Sequence, residues 1–115
     1  MADGSGGSFW RIEFFTTASG RSPVLDYIDA LPADERAQVY NALRLLREYG
    51  TQLTLPHVRP LQRGLWELRP GPNRLLYFAA VGRLFVIVHA FRKQTGKTPK
   101  QEMETALRRV EQYRR

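Results

Sequence analysis

The fold is decided by residues 84–91, whose sequence is Leu84-Phe-Val-Ile-Val-His-Ala-Phe91. Seven of these eight residues are apolar, and β-branched and aromatic side chains dominate the run. A continuous apolar run of this length predicts a central β-strand that is buried on both faces. It is far shorter than the roughly 20 residues that a membrane-spanning helix needs.

Two further strands are predicted just before this run. Residues 65–69, Leu-Trp-Glu-Leu-Arg, alternate between apolar and charged. This alternation predicts that Trp66 and Leu68 face the core and that Glu67 and Arg69 face outward. A Pro-Gly-Pro-Asn turn at 70–73 leads into a strand over 74–80. Because the connections are short, we expect the three strands to form an antiparallel meander.

The N-terminal part of the chain carries helical signals. Ser22 and Pro23 have the order typical of an N-cap followed by the first helical residue. Apolar residues then recur with helical spacing, and Gly50 is expected to end the second helix. Residues 22–49 therefore predict a helical hairpin, preceded by a first strand over 9–15.

The remaining segments complete an α+β domain. Residues 51–64 contain two prolines and look irregular, whereas Thr98-Pro-Lys-Gln101 has the pattern of a capping box that opens a last helix. The predicted order is β-α-α-β-β-β-α, a small twisted antiparallel sheet with two N-terminal helices and a C-terminal helix. This single domain occupies residues 9–115, and the Gly/Ser-rich residues 1–8 are expected to form a flexible arm.

The charge of the chain is unevenly distributed. The 115 residues carry a net charge of +7. Residues 1–55 have five basic and seven acidic side chains, whereas residues 56–115 have thirteen basic and four acidic ones, a net charge of +9. This asymmetry favours a polyanion-binding surface in the second half, although a solvated basic face has the same composition. The chain lacks cysteine, which excludes disulfides, thiolate zinc sites and a cysteine nucleophile, and fits a reducing cytoplasm.

Four cations are expected at one edge of the sheet, where three neighbouring strands begin or end: Arg69, Arg74, Arg92 and Lys93. Like charges at this separation repel unless an anion joins them, so the cluster predicts a phosphate-binding site. A nucleic-acid backbone fits such a site, and the 2′-hydroxyl of RNA supplies a nucleophile without a metal. In the alternative interpretation, these are surface arginines paired with Glu67 or Glu102.

Other polar residues give weaker signals. His57 lies in a loop and is either a general base near neutral pH or a solvated side chain. His89 lies in the apolar strand and is expected to be a buried, hydrogen-bonded histidine. Gly96-Lys97-Thr98 lacks the first glycine of a phosphate loop, but Lys97 and the amides of that helix start still attract phosphate. Further RNA or phosphate contacts are expected from Lys100, Arg108 and Arg109, and no residues have metal-ligand spacing.

Four segments in the second half form an ordered set: Gly64-Leu-Trp-Glu-Leu-Arg69, Asn73-Arg-Leu-Leu-Tyr77, Val88-His-Ala-Phe-Arg-Lys93 and Lys97-Thr-Pro99. This set resembles the RelE/ParE toxin superfamily and looks most like its HigB branch, the phage-derived Gp49-like proteins. The resemblance spans about residues 9–113, and its specific part lies within residues 64–99.

The resemblance implies the toxin of a type II toxin–antitoxin pair, a metal-independent mRNA endoribonuclease that acts on ribosome-bound mRNA without a cofactor. The family's middle-strand arginine maps to Arg74, and the arginine that closes the preceding strand maps to Arg69. The basic residue after the last strand maps to Lys93, with Arg92 beside it. The implied partners are the ribosome, mRNA and a cognate helix-turn-helix antitoxin of HigA type, all in the cytoplasm.

The chain departs from RelE itself at the residues that transfer protons. RelE has two lysines on the strand occupied here by Leu65 and Glu67, and a tyrosine where this chain has Pro99. His57 and Tyr77 are therefore the candidates for the general acid or base. Two other functions stay open: a ParE-like inhibitor of DNA gyrase, and a basic RNA-binding module without catalysis.

Overall fold

The computed structural model describes residues 9–94 and 96–115, so the arm expected over residues 1–8 lies outside the described residues. The described strands are β1 (Arg11–Phe14), β2 (Val58–Pro60), β3 (Trp66–Leu68), β4 (Asn73–Ala80) and β5 (Leu84–Arg92). The helices are α1 (Pro23–Asp29), α2 (Ala33–Tyr49) and α3 (Lys100–Arg114), with a short 3-10 turn at Gly50–Gln52. Within this described part, no helix is long and apolar enough to cross a membrane.

The strands form one sheet in the order β1-β5-β4-β3-β2. β3, β4 and β5 make the predicted antiparallel meander, and the α+β class with two N-terminal helices and a C-terminal helix is confirmed. β1 pairs in parallel with β5, so the sheet is mixed instead of wholly antiparallel. The parallel pair arises because the two helices and three strands between β1 and β5 carry the chain across the sheet and back.

The edge strand β2 lies in the segment that the sequence predicts to be irregular. Its three residues pair with β3, Val58 opposite Leu68 and Pro60 opposite Trp66. Three residues are too few to show an alternating pattern, and a proline argues against a strand unless the strand is at an edge. Pairing with β3 therefore creates this strand, which the local sequence alone does not indicate.

Both faces of the sheet are covered by helices. Leu75 and Tyr77 of β4 belong to a core shared with α1 and α2. Leu76 and Phe78 belong to a second core on the other face, shared with α3. Residues 84–88 of β5 are buried, as the apolar run predicts. Because the two faces are both covered, a polar residue that alternates with core residues is not thereby exposed to solvent.

The helix ends are only partly as predicted. Ser22 caps α1 by accepting a hydrogen bond from the Leu25 amide at 3.4 Å, and Gly50 ends α2. The predicted capping box at α3 is wrong, because Pro99 occupies the N-cap position without a side-chain cap. Thr98 lies one residue before this N-cap, and its hydroxyl donates instead to the buried carboxylate oxygen Glu67 Oε2 at 2.8 Å.

A buried polar chain ties the helices to the strand ends. The Tyr27 hydroxyl donates to Asn73 Oδ1 at 2.5 Å, and Asn73 Nδ2 donates to Glu35 Oε1 at 3.0 Å. Arg92 Nη1 donates to the same Glu35 oxygen at 2.8 Å. Asn73 is fully buried, so these bonds satisfy its amide. The start of β4 and the end of β5 are thereby fixed against α1 and α2.

Gly50→Ala is expected to lower the free energy of unfolding by about 2–4 kcal/mol, measured by urea denaturation. Gly50 has φ +55°, and a Cβ there would lie 2.3 Å from Trp10 Nε1, so the substitution adds a clash to backbone strain. Gly20→Ala is the matched control, because Gly20 has φ +87° with no atom within 4 Å of the added Cβ. Equal losses in the two variants would contradict the packing role of Gly50.

Candidate functional site

The site is built around a carboxylate inside the protein. Glu67 is only 2% exposed, so the prediction that it faces solvent is wrong. Its Oε1 lies 3.3 Å from Arg59 Nη2, 3.6 Å from Arg69 Nε and 3.9 Å from Arg74 Nε. Its Oε2 accepts the hydrogen bond from Thr98. Three guanidinium groups and one hydroxyl thus converge on a single carboxylate.

The sheet register explains this convergence. Glu67 on β3 lies opposite Arg59 on β2 and opposite Leu76 on β4. Side chains two apart on a strand share a face, which places Arg69 beside Glu67 and Arg74 beside Leu76. This is the face covered by α3. The side chains of residues 65–69 alternate between the two faces of the sheet, as predicted. The prediction was wrong only about the face that carries Glu67, which is covered by α3 instead of solvent.

The hydrogen bonding of this group is incomplete. Glu67 Oε1, Arg59 Nε and Arg69 Nε are buried and have no hydrogen-bond partner. The three arginines are therefore held to the carboxylate by charge, at distances and angles outside good hydrogen-bond geometry. A buried polar atom left without a partner costs about 1–3 kcal/mol. Such uncompensated donors, at a place rich in cations, are typical of a site that binds an anion.

Arg74 is the most rigidly held of these cations. Its Nη1 donates to the carbonyl oxygens of Gly71 at 2.7 Å and Asn73 at 2.8 Å. Its side chain is 8% exposed, and burial lowers the pKa of Arg74 below its usual value, partly opposed by the attraction of Glu67. The guanidinium is thus oriented by the 70–73 turn before any ligand arrives.

A shallow depression lies over this group. Its lining residues come from β2, β3 and the residue after it, β4, β5 and the β5–α3 connection: Arg59, Glu67, Arg69, Arg74, Phe91, Lys93, Gly96, Lys97 and Thr98. Five of these are cations and one is an acid, an excess of four positive charges. The enclosed volume is about 10 Å³, room for about one water-sized group. An anionic oxygen can enter the depression, but a whole nucleotide has to lie across its mouth.

The predicted four-cation cluster is only partly assembled. Arg69, Arg74 and Lys93 line the depression, but Arg92 does not. Arg92 pairs with Glu35 of α2 on the opposite face of the sheet. Neighbouring residues of a strand point to opposite faces, so Arg92 and Lys93 are separated by the pleat. Glu67 was named only in the alternative interpretation, as a partner of the arginines, and Arg69 and Arg74 do pair with it. Arg59 was missed, because the β2–β3 register that brings it to Glu67 was not visible in the sequence.

The two histidines lie in different surroundings. His57 is exposed and lines a separate cavity on the α2 side, which shares Arg69 with the depression. His89 is mostly buried, as predicted. Its Nε2 lies 2.6 Å from Glu102 Oε1, and Arg109 Nη1 lies 3.2 Å from its Nδ1. Because arginine only donates, Nδ1 accepts and Nε2 carries the proton.

The other predicted residues are spread over the α3 side. Arg109 is held within the fold, since its Nη1 also donates to the Val88 carbonyl at 2.9 Å. Arg108 is exposed, and Lys100 is exposed at the start of α3, 4.0 Å from Glu104. Lys97 lines the depression.

Tyr77 is buried in the core, where burial raises its pKa, so its hydroxyl does not face the site. Among the residues that the structure describes, no group of three or more His, Asp or Glu side chains could hold a metal ion.

Comparisons with known proteins agree with this architecture. The model of a family described as phage-derived protein Gp49-like matches residues 26–111. The fold is similar to a chain of the toxin–antitoxin complex RelBE2 from Mycobacterium tuberculosis, with a TM-score of 0.54 and 24% sequence identity. That alignment covers 74% of this chain and 99% of the other. No curated protein sequence matches this one.

The fold is that of the RelE-like toxins of toxin–antitoxin systems. Since the family model covers well over half of the sequence, the chain belongs to the phage-derived Gp49-like family. The segments that carried the resemblance in the sequence are those that build the buried site: β3, β4, the end of β5 and the start of α3.

His89 is expected to make stability pH-dependent. Burial lowers the pKa of His89 below its ordinary value of 6.5, although the Glu102 hydrogen bond raises it, and Arg109 and Arg108 lower it further. The unfolded chain therefore takes up the proton first, and the free energy of unfolding falls as pH drops below about 6.5. Urea denaturation between pH 7.5 and 5.5 should show a weaker decline in His89→Gln than in the unsubstituted protein. Parallel curves for His89→Gln and the unsubstituted protein would contradict this role.

Glu67→Gln is expected to destabilise the protein by about 3–5 kcal/mol, because it leaves three arginines without their counter-charge. Sulfate should restore part of this loss by binding the uncovered guanidinium groups. The measurement is thermal unfolding in sodium sulfate and in sodium chloride at equal ionic strength. Sulfate stabilises most proteins in a general way, so Glu104→Gln on the exposed face of α3 is the control. A sulfate effect of the same size in both variants would show that the arginines bind no anion.

Proposed function

We propose that this chain is the toxin of a toxin–antitoxin pair and that it cleaves mRNA on the ribosome at the depression over Glu67. The observation that supports this most is the excess of four positive charges around one buried carboxylate. A polyanion with regularly spaced phosphates is the ligand that such a rigid, basic depression fits best. Membership in the Gp49-like family supports the same assignment.

The phosphate to be cleaved lies across the mouth of the depression. The Arg69 and Arg74 guanidinium groups hold its non-bridging oxygens, and Lys93 lies at the rim. Charge accumulates on these oxygens as the phosphorus becomes five-coordinate. Preorganised cations then stabilise this state more than the ground state, and no rearrangement is needed at the moment of reaction.

The nucleophile is the 2′-hydroxyl of the nucleotide before the phosphate. Its oxygen forms a bond to phosphorus while the bond to the 5′-oxygen of the next nucleotide breaks. His57 accepts the 2′-hydroxyl proton, and the Lys93 ammonium donates a proton to the leaving 5′-oxygen. The products are a 2′,3′-cyclic phosphate and a 5′-hydroxyl. Every step uses side chains of the protein itself, in keeping with a metal-independent reaction.

Glu67 acts through the arginines. Its Oε1 is buried, so substrate does not touch it. It offsets part of the charge that would otherwise drive Arg59, Arg69 and Arg74 apart, and it fixes where their guanidinium groups lie. Glu67 is therefore a positioning residue, and the Thr98 hydroxyl in turn holds its second oxygen.

A cognate antitoxin is the expected protein partner, and we propose the helix-turn-helix HigA type for it. The structure similar to this one is itself a toxin–antitoxin complex. The basic half of the chain is left to RNA and the ribosome, because salt-sensitive contacts to phosphates need an accessible cationic surface. The less basic residues 1–55 give an antitoxin a surface that contributes no residue to the depression.

Arg74→Ala is expected to reduce RNA cleavage about 100- to 1,000-fold, the loss typical of removing one donor to a transition-state oxyanion. Growth inhibition after induction should disappear with it. Arg74→Lys keeps the charge but lacks the paired donors of the guanidinium group, so it should also lose most activity. Because it is the more conservative substitution, it serves as a control for misfolding. Arg21→Ala, at an exposed arginine before α1, is the control and should remain toxic.

Two readouts separate this function from the alternatives. Pulse labelling should show an early loss of protein synthesis, and mapping of mRNA 5′ ends should show new cuts within codons. An early DNA-damage response without loss of translation would indicate a gyrase inhibitor instead. Translation inhibition without new 5′ ends would indicate an RNA-binding module that does not cleave. A folded, fully toxic Arg74→Ala variant would overturn the role of that residue.

A further inference from the structure

A second cavity opens beside the cationic depression. It has a volume of about 250 Å³ and lies between α2 and the β3–β4 turn. Its lining residues are Gln38, Asn41, Ala42, Leu45, Leu53, His57, Leu68, Arg69, Pro70 and Gly71. Leu53, Leu68 and Pro70 are buried, whereas Gln38, Asn41 and His57 are exposed. The cavity, called the α2 cavity below, therefore combines buried apolar groups with accessible polar ones.

This combination matches one class of ligand. A nucleobase has two flat apolar faces and an edge of hydrogen-bond donors and acceptors. The leucine side chains offer contact to its face, and the amides of Gln38 and Asn41 offer hydrogen bonds to its edge. Arg44 Nη2 donates to Asn41 Oδ1 at 2.7 Å, which fixes the Asn41 amide and directs its Nδ2 as a donor. The cavity volume is just below the range of small-molecule sites, as expected for one base instead of a whole cofactor.

One residue is shared by the α2 cavity and the phosphate site. Arg69 lines both the α2 cavity and the depression. Its backbone amide donates to the His57 carbonyl at 2.9 Å, so the strand carrying Arg69 and the segment carrying His57 are hydrogen-bonded at this point. In RNA, a base and the phosphate that follows it are joined through one ribose. A strand with its phosphate in the depression therefore carries a base to the neighbourhood of the α2 cavity.

We propose that the α2 cavity binds the base of the nucleotide immediately before the cleaved phosphate, and that Gln38 and Asn41 select which base is accepted. This inference rests on the proposed ribonuclease function. It gives that function a sequence preference set by α2, an element that contributes no residue to the depression. The ribose of the same nucleotide then lies beside His57, where its 2′-hydroxyl can lose a proton.

The first test maps mRNA 5′ ends after induction of the protein. The unsubstituted protein should favour one base before the cut. The Gln38→Ala/Asn41→Ala double variant should reduce that preference about tenfold, because good base contacts give discrimination of this order or more. Cutting should be slower because base contacts are lost, but it should not disappear, since neither residue lines the depression. Tyr40→Ala, at an exposed position of α2 outside the α2 cavity, should keep the original preference.

The second test needs no cleavage. A 2′-O-methyl trinucleotide is titrated against the purified protein, and the methyl signals of Leu53 and Leu68 are followed by NMR. These signals should shift, and Ala42→Leu, which fills the α2 cavity, should weaken binding about tenfold. If the protein cuts no RNA but these shifts occur, the proposed function fails and the α2 cavity still binds a base.

Other outcomes would overturn the inference while leaving the ribonuclease intact. One is cleavage whose base preference is unchanged in both the double variant and Ala42→Leu. Another is trinucleotide binding that leaves the Leu53 and Leu68 signals unmoved. A third is an Ala42→Leu variant that keeps its base preference but no longer co-purifies with the antitoxin, which would assign the α2 cavity to the antitoxin.

Discussion

The attraction between the Glu67 carboxylate and three arginines organises one whole end of this molecule. The arginines come from β2, β3 and the start of β4, and Thr98 brings the segment before α3 to the same carboxylate. A buried carboxylate is costly to desolvate, and it is retained only where opposite charges and hydrogen bonds surround it. Breaking such a group costs about 3–5 kcal/mol, a large part of the 5–15 kcal/mol that stabilises a typical domain. The short edge strand β2 and the loop before α3 therefore depend on the same charge.

The same interaction orients the three arginine side chains before any ligand binds. Without Glu67, the repulsion among neighbouring guanidinium groups would spread them into solvent, where each would have to be ordered again by a ligand. With Glu67, the side chains are held in place and the depression still keeps an excess of four positive charges. Fixed dipoles in enzyme sites follow the same principle, because the fold orients them before substrate binds. The site therefore needs both the Glu67 carboxylate and the excess of cationic side chains around it.

The opposite face of the sheet supports the strand ends that carry the site. Asn73 and Arg92 bind Glu35 of α2, while their sequence neighbours Arg74 and Lys93 line the depression. One pair of residues thus anchors the two strands to the helices, and the next pair presents cations on the other face. α2 therefore covers the face opposite the depression and contributes no residue to it, and the cavity between α2 and the β3–β4 turn shares only Arg69 with the depression.

The sequence by itself determined the central strand, the helical hairpin, the meander and the family. Continuous apolar runs, helical spacing and turn residues are local signals, and each acts within about ten residues. The sequence also indicated Arg69, Arg74 and Lys93. Only the tertiary structure decided that Glu67 is buried and that Arg59 pairs with it. It also decided that Arg92 pairs with Glu35 on the other face, and that Thr98 donates to Glu67 instead of capping α3. The physical reason is that burial and pairing of a charged side chain depend on what covers its face of the sheet, and that cover comes from distant parts of the chain.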